Sequence, residues 1–278
     1  MSYLNKLYKT GAGRILLRPL ISKPVSDIAG YILDSRISKL LIKPFVRMNN
    51  IRTEDYVLDD IRCFNDFFRR KIRQGLRPVS EAADDLVAPC DGLLKVSRID
   101  KGTVIEVKQS AFGIRGMLRD RRLAETFEGG YCLVYRLCVD NYHRYIYFDS
   151  GKKYANRHIN GVYHTVQPVA LEDHPVFVRN TREYAVIDTD NFGRCVQMEV
   201  GAMLVGRIVN HCMGKKKVKR GDEKGYFEYG GSTVIVLLPK QELSFTDKVL
   251  RGMKEGCEIP VRMGEAIAAV MNRDMHSI

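Results

Sequence analysis

From about residue 85 to residue 238, the sequence consists largely of short β-forming runs that glycine and polar turns separate. These runs are rich in β-branched and aromatic residues and poor in charge, which favours strands over helices. They cover residues 92–96, 103–107, 131–139, 144–148, 184–188, 195–200 and 233–238. A chain with so many short strands must build its core on a sheet.

Helices are predicted before this region. Between Asp27 and Met48, apolar residues recur near a period of 3.6. They are Ile28, Tyr31, Ile32, Ile37, Leu40, Leu41 and Phe45. A second helix is predicted over residues 61–74, where three phenylalanines and Ile72 form one face and Gly75 ends the pattern. Helices, a β-rich core and a mixed tail together predict an α+β fold.

Positive charge is concentrated at the start of the chain. Residues 1–50 contain nine basic and two acidic residues, and so carry +7 of the total formal charge of +12. Arg36, Lys39, Lys43 and Arg47 run beside the apolar stripe. Such a segment can lie in a lipid headgroup layer with its cations toward anionic lipid. It can equally be a helix packed on its own domain with a solvated basic face, which is the rule in globular proteins.

The sequence also excludes several classes of protein. No run of about 18 uncharged apolar residues occurs, so no membrane span is predicted. The seven cysteines are odd in number and form no CxxC pair, which predicts reduced thiols in a cytosol-facing compartment. His158 and His164 have a spacing that suits no common zinc site, so no metal is expected. No nucleic-acid-binding motif accompanies the basic run at residues 215–220.

A Gly230-Gly231-Ser232-Thr233 string comes directly before an apolar strand. Paired glycines at this place commonly form a tight turn. They also leave the Gly231 carbonyl unhindered, so that the Ser232 hydroxyl could attack the peptide bond before it. The string is not the G-x-S-x-G elbow of hydrolases, because Val234 stands where the last glycine should be.

Two further strings contain residue types that assist such an attack. His143, at the end of an apolar strand, is either a hydrogen-bonded surface histidine or a general base for a hydroxyl nucleophile. Asp91 lies in a Pro-Cys-Asp-Gly turn and could orient an imidazole, although the string is first of all a turn signal. Its neighbour Cys90 is a possible nucleophile or a small buried thiol.

Taken together, the sequence resembles the phosphatidylserine decarboxylase proenzymes over nearly its full length. The resemblance rests on several strings in chain order. They are Phe64-Asn-Asp-Phe-Phe-Arg69 with Arg77-Pro78, Ala88-Pro-x-Asp-Gly92, Asp140-x-Tyr-His-Arg144, His158-Ile-x-Gly-x-x-His-Thr-Val-x-Pro168, Val200-Gly-Ala-x-x-Val-Gly-x-Ile208, Gly221-Asp-Glu-Lys-Gly-Tyr-Phe227, Gly230-Gly-Ser-Thr233 and Val261-x-Met-Gly-Glu265. The Gly-Gly-Ser-Thr form is similar to the branch called type II.

The resemblance implies roles for residues in this chain. Asp91, His143 and Ser232 would form a serine-protease-like triad that cleaves the chain between Gly231 and Ser232. Residues 1–231 would become the β chain and residues 232–278 the α chain, with Ser232 converted to a covalent pyruvoyl cofactor. The implied organisation is a basic membrane-docking region over residues 1–50 and a decarboxylase domain over residues 51–278.

The implied reaction is decarboxylation of phosphatidylserine to phosphatidylethanolamine at an anionic membrane surface. The resemblance places the enzyme peripherally on the cytoplasmic side of the cell membrane, as a heterodimer of its two chains and with higher oligomers left open. Many family members have a second histidine three residues after the one matching His143, but this chain has Ile146 there. His143 is therefore the first choice for both chemical steps and His164 a weaker one. Pyruvoyl-dependent decarboxylation of a soluble amino acid is the alternative function.

Overall fold

The structure, a computed structural model, describes residues 3–100, 104–107, 110–166, 168–171, 176–202, 207–228 and 232–271. The α-helices in this part of the chain are α1 (Tyr3–Lys9), α2 (Gly11–Leu20), α3 (Lys23–Asp34), α4 (Ile42–Met48), α5 (Phe64–Phe68), α6 (Ile114–Leu118), α7 (Arg121–Glu125), α8 (Pro168–Leu171), α9 (Val176–Arg179) and α10 (Asp247–Glu255). Two 3-10 helices cover Arg36–Leu41 and Thr53–Asp55.

Strands form in all seven runs that the sequence predicts, and also outside these runs. They are β1 (Tyr56–Val57), β2 (Lys71–Ile72), β3 (Asp85–Val87), β4 (Gly92–Arg98), β5 (Val104–Val107), β6 (Ser110–Gly113), β7 (Tyr131–Leu137), β8 (Arg144–Ile146), β9 (Gly151–Lys153), β10 (Arg157–Ile159), β11 (Arg182–Thr189), β12 (Gly193–Val200), β13 (Ile208–Asn210), β14 (Lys216–Val218), β15 (Glu223–Phe227), β16 (Ser232–Leu238), β17 (Leu243–Phe245), β18 (Ile259–Val261) and β19 (Ala266–Val270). Thr103, included in one predicted run, lies outside the described residues.

A large antiparallel sheet forms the centre of the fold. Its strand order is β14-β9-β11-β12-β16-β7-β4-β18, and β10 pairs with β11 beside this path. Every residue of β7 and β16 is buried. Both strands therefore read as continuous apolar runs, because a strand covered on both faces has little reason to alternate with polar residues.

The two faces of this sheet are covered differently. Ile235 and Leu237 of β16 pack on one face with residues of α1, α2, α6 and α9. Val234, Val236 and Leu238 pack on the other, against α10 and the sheets β13-β15-β8 and β17-β19-β3. This layered arrangement, with helices preceding a β-rich core, confirms the predicted α+β class.

The predicted N-terminal helices are shorter than their periodicity suggests. Residues 27–48 are divided among α3, a 3-10 helix and α4, because Ser35 has an extended backbone. The helix predicted over 61–74 is wrong beyond Phe68: only α5 forms, and β2 then pairs with β1. Arg70 explains the early end. It is buried, its guanidinium lies 4.2 Å from the centre of the Tyr56 ring, and it donates to the carbonyls of Asp140 and Asn141.

The apolar stripe of the first fifty residues lies mostly on the outside of the molecule. We call this surface, formed by Ile28, Tyr31, Ile32, Ile37, Leu40 and Leu41, the N-terminal apolar surface. Its side chains are between 49% and 82% exposed. Phe45 differs, because it packs edge-on against Phe64 with ring centres 5.0 Å apart. In the part of the chain that the structure describes, no helix has the length and apolar character needed to cross a bilayer.

Candidate active site

Ser232 is the first residue of β16, in the middle of the central sheet. It pairs with Leu137 of β7, and β12 runs along the other side of the strand. Its side chain is completely buried, and its Oγ has no hydrogen-bond partner among the residues that the structure describes. A buried hydroxyl without a partner is uncommon and marks a place where chemistry or an ordered water is to be expected. The other half of the predicted cleavage site, Gly231, lies outside the described residues.

His143 lies in the loop between β7 and β8 and is completely buried. Its Nδ1 is 2.9 Å from the carbonyl oxygen of Asn141. Because a carbonyl only accepts, Nδ1 must donate, and in the neutral ring this leaves Nε2 with its lone pair available. That Nε2 is buried and has no hydrogen-bond partner within the described part of the chain. Like Ser232 Oγ, the basic nitrogen of the predicted general base is therefore buried without a described partner.

The surroundings of His143 keep the imidazole neutral. Burial, and after it like-charge repulsion from the nearby Arg70 guanidinium, lower the pKa of His143 to about 3. The ring packs on Phe68, with centres 4.0 Å apart, and the backbone carbonyl of His143 accepts a 2.9 Å hydrogen bond from the N–H of Phe227. These contacts fix the imidazole beside the end of β15. At neutral pH the site therefore holds an uncharged base.

Asp91 comes just before β4, at the same end of the central sheet as Ser232. The register makes this clear, because Leu93 of β4 and Thr233 of β16 both pair with Arg136 of β7. Gly92 is needed here, since a Cβ at this position would lie 2.8 Å from the carbonyl oxygen of Arg136.

The carboxylate of Asp91 is fully engaged by other partners. Arg77 donates to both of its oxygens, at 2.7 and 2.6 Å, and the N–H of Met263 donates at 2.9 Å. Among the hydrogen bonds of the described residues, none joins Asp91 to His143. The structure thus places Asp91 at the same end of the central sheet as Ser232, without a hydrogen bond to the imidazole of His143.

The remaining sequence candidates have other surroundings. Cys90 is fully buried, and burial raises the pKa of its thiol well above the ordinary value, which suits an inert buried thiol better than a nucleophile. His164 contacts Tyr8 through Nδ1, at 3.3 Å, and its backbone is held at both ends by the Asn180 side chain. Tyr8 belongs to the core on the helix-covered face. Ile146 is a buried residue of β8 whose N–H donates to the carbonyl of Pro89.

The sequence pattern does not predict the roles of two arginines near the site. Arg70 falls within the helix predicted over residues 61–74 and has no role in that prediction, yet it is only 2% exposed and its charge acts on His143. Arg77 was noted only as part of a string, without a role, and it holds Asp91. Neither partner could be identified from spacing, since Arg77 and Asp91 are brought together by the packing of a loop against the end of β4.

Comparisons with known proteins identify the family of this chain. The family model described as phosphatidylserine decarboxylase matches residues 64–269. The chain is 39% identical over 265 residues to phosphatidylserine decarboxylase proenzyme 2 of Clostridium acetobutylicum, covering 95% of this chain and 90% of the relative. It is 37% identical over 275 residues to the phosphatidylserine decarboxylase proenzyme of Ruminiclostridium cellulolyticum, covering 97% and 92%. The chain therefore belongs to the phosphatidylserine decarboxylase family.

Proposed function

We propose that this chain is a proenzyme that cleaves itself between Gly231 and Ser232 and then decarboxylates phosphatidylserine to phosphatidylethanolamine. The proposal is carried by two buried polar atoms of the right chemistry, the hydroxyl Oγ of Ser232 and the Nε2 of a neutral His143, neither of which has a hydrogen-bond partner among the described residues. The family membership supplies the substrate.

In the self-cleavage step, His143 Nε2 takes the proton of Ser232 as its Oγ attacks the carbonyl carbon of Gly231. The peptide bond between Gly231 and Ser232 then breaks, and its nitrogen takes the proton from His143, so that an ester joins Gly231 to Ser232 Oγ. The resulting ester then breaks by elimination, and this releases the β chain of residues 1–231 from the α chain of residues 232–278. Asp91 is proposed to balance the charge of the imidazolium, as in other nucleophile–base–carboxylate sets. For this it must exchange at least part of its ion pair with Arg77 for the imidazole.

Residue 232 is placed suitably for a pyruvoyl group. Its side chain is excluded from water and its hydroxyl has no hydrogen-bond partner among the described residues, so the buried site fits a reactive carbonyl. Such a group supplies an electron sink for the electron pair that departing CO2 leaves behind. The protein residues around it keep water out, and this protects a carbonyl from side reactions.

The two chains are proposed to remain together as a heterodimer. After cleavage, the α chain would still contribute β16 between β12 and β7, β18 beside β4, and β19 beside β3. Five residues of β16, Val234 to Leu238, are at most 1% exposed. Burial of such side chains contributes roughly 2 kcal/mol each. We expect the two fragments to elute together in size-exclusion chromatography and to separate only in denaturant.

The N-terminal region is proposed to dock peripherally on an anionic membrane, at the cytoplasmic side of the cell membrane. The N-terminal apolar surface is exposed, and Arg36, Lys39, Lys43 and Arg47 beside it are exposed as well. Apolar side chains flanked by cations match an anionic headgroup layer. The region is also joined to the site, because Phe45 of α4 contacts Phe68, whose ring packs on His143.

The test compares wild-type protein with Ser232→Ala. The wild type is expected to give two chains on a denaturing gel, with masses that place the cut before Ser232, whereas the variant stays as one chain. Release of CO2 from vesicles that contain phosphatidylserine, with none from free amino acids, is the expected activity. An uncleaved but active wild type would disprove self-processing, and release from amino acids alone would favour the soluble-substrate alternative.

A further inference from the structure

A cavity of about 480 Å³ lies beside α3. Its volume is in the range of small-molecule sites. The residues that line it include Lys23, Tyr31 and Asp34 of α3 on one side and Thr181 and Arg207 on the other. Tyr31 is 82% exposed and belongs to the N-terminal apolar surface, so the cavity reaches the part of the molecule that is proposed to meet the membrane. The steps proposed above give this cavity no role.

The cavity is level with Ser232 along the central sheet. Val200 of β12 pairs with Thr233 of β16, so in this antiparallel register the next residue, Gly201, comes opposite Ser232. The N–H of Gly201 donates in turn to the carbonyl of Thr181, at 2.9 Å. Thr181, which lines the cavity, is therefore two strand spacings from Ser232, or about 10 Å.

The cavity is also on the same face of the sheet as the Ser232 side chain. Glu183 of β11, Glu199 of β12 and Val234 of β16 lie directly opposite one another and so share a face. Thr181 and Ser232 each come two residues earlier than a member of this row, and side chains two residues apart in a strand point the same way.

Arg207 comes directly before β13, in the small sheet that covers this face. Asn210 of β13 donates to Glu183 at 2.6 Å and to Glu199 at 3.2 Å. Lys224 of the neighbouring strand β15 forms a buried ion pair with Glu199, at 2.5 Å. These contacts hold the start of β13 against the Ser232 face and so fix the position of the Arg207 backbone.

The guanidinium of Arg207 has donors that no described residue uses. Its Nη1 lies 3.2 Å from Glu228 and 3.9 Å from Asp34, whereas Nε and Nη2 donate to no group in the described part of the chain. Two N–H donors in one plane match two oxygens of a phosphate. Lys23, paired with Asp27 at 2.7 Å, adds a second cation. Cations and carboxylates together suit a ligand of mixed charge.

Phosphatidylserine is a ligand of this kind, with an ammonium, a carboxylate and a phosphodiester in one headgroup. One carbon and one oxygen atom separate its α carbon from the phosphorus. The α carbon has to reach residue 232, while the acyl chains stay at the membrane. The phosphate must then lie between residue 232 and the N-terminal apolar surface, which is where the cavity is.

We propose that Arg207 binds the phosphodiester of the lipid headgroup in this cavity, with Lys23 as the second cation, and so positions the α carbon at residue 232. The inference rests on the proposed function and names the residues that recognise its substrate. A free amino acid has no phosphate to offer Arg207, so the same contact selects the lipid over the soluble alternative.

The decisive variant is Arg207→Gln, assayed on phosphatidylserine in uncharged detergent micelles, so that attraction to an anionic surface plays no part. We expect normal self-cleavage, kcat within about twofold and KM raised about tenfold or more, as for loss of a charge-assisted contact that substrate and transition state share. Arg207→Lys keeps the charge without the planar fork and should raise KM less. Arg194→Gln is the matched control, because Arg194 is 54% exposed, against 57% for Arg207, and pairs with Asp188 at the opposite end of β11 and β12.

Binding can also be measured without turnover. Glycerophosphoglycerol has the same phosphodiester but neither an amine nor a carboxylate, so it reports on phosphate recognition alone. Its phosphorus NMR signal should broaden with cleaved wild-type protein and with Arg194→Gln, and should stay sharp with Arg207→Gln. Inorganic phosphate at the same concentration should displace it only weakly, which separates a lipid headgroup from free phosphate as the ligand.

An unchanged KM in Arg207→Gln, an equal rise in Arg194→Gln, or equal broadening with all three proteins would overturn the assignment. Loss of self-cleavage in folded Arg207→Gln protein would make the residue structural, and full displacement by inorganic phosphate would make the cavity a general phosphate site; both count against it. Should Arg207→Gln fail to fold, Lys23→Gln takes its place with the same expectation for KM, since Lys23 is 64% exposed. A wild type that is cleaved but inactive on phosphatidylserine would instead overturn the proposed function, and the phosphorus signal would still show whether Arg207 binds the diester.

Discussion

The buried, neutral imidazole of His143 makes the stability of the proenzyme depend on pH in a way that can be measured. In the folded protein the pKa of His143 is lowered from 6.5 to about 3, chiefly by burial. An unfolded chain exposes the ring to water and restores its ordinary pKa. As the pH falls below about 6.5, the unfolded state binds a proton that the folded state does not. The free energy of unfolding should therefore decrease as the pH falls, and the contribution is complete only above that range.

The size of the effect follows from the two pKa values. Well below pH 6.5 and above pH 3, one such group changes the free energy of unfolding by about 1.4 kcal/mol per pH unit. Between pH 7.5 and pH 5, the loss assigned to His143 amounts to about 2 kcal/mol. Carboxylates contribute to the measured curve as well, but their part cancels when two chains that differ only at position 143 are compared.

The assay is urea unfolding of the uncleaved Ser232→Ala protein, with and without His143→Gln, at pH 7.5 and pH 5. The chain with His143 should lose about 2 kcal/mol more between the two pH values than the chain without it. Equal pH dependence of the two chains would refute the buried, neutral imidazole and with it the base assigned to self-cleavage.

Three further predictions concern other parts of the molecule. Leu40→Asp, on the N-terminal apolar surface, should weaken sedimentation with anionic vesicles at least about tenfold, since insertion of a leucine contributes roughly 1.5–3 kcal/mol. Met213→Asp is the control, because Met213 is 51% exposed but lies outside this surface, and it should leave vesicle binding unchanged. Arg77→Met leaves the buried Asp91 carboxylate without its ion pair and should lower the free energy of unfolding by about 3–5 kcal/mol, of which Asp91→Asn in the same chain should recover a part. Gly92→Ala places a Cβ 2.8 Å from the Arg136 carbonyl oxygen, and should lower the thermal midpoint and slow self-cleavage on a gel.

Much of the fold follows from local sequence pattern. The runs over residues 131–139 and 233–238 were recognisable because both faces of β7 and β16 are covered, so their apolar character is continuous. The helix predicted over residues 61–74 failed for a nonlocal reason. Its periodicity is compatible with a helix, but Arg70 is drawn inside by the Tyr56 ring and by carbonyls seventy residues away, and this contact ends α5 at Phe68. Likewise, periodicity identified the apolar stripe of α3 but could not tell whether that stripe faces the core or the outside.

In the candidate site, too, local sequence predicts some features, whereas contacts between distant residues determine others. The sequence predicts roles for Ser232, His143 and Asp91 because each stands in a short string that is typical of a particular chemistry. Their partners could not be predicted in this way. Arg77 reaches Asp91, and Lys224 reaches Glu199, only because strands that are distant in sequence are brought together: Glu199 lies on β12 of the central sheet and Lys224 on β15 of the sheet packed against it. A lysine in a Gly-Asp-Glu-Lys-Gly string is typical of an exposed turn, and nothing local distinguishes it from one. The protonation state of the site depends on these partners, because burial and charge contacts set the pKa of each group. The sequence thus predicts a nucleophile and a base, whereas the partners that surround each group follow only from the three-dimensional packing.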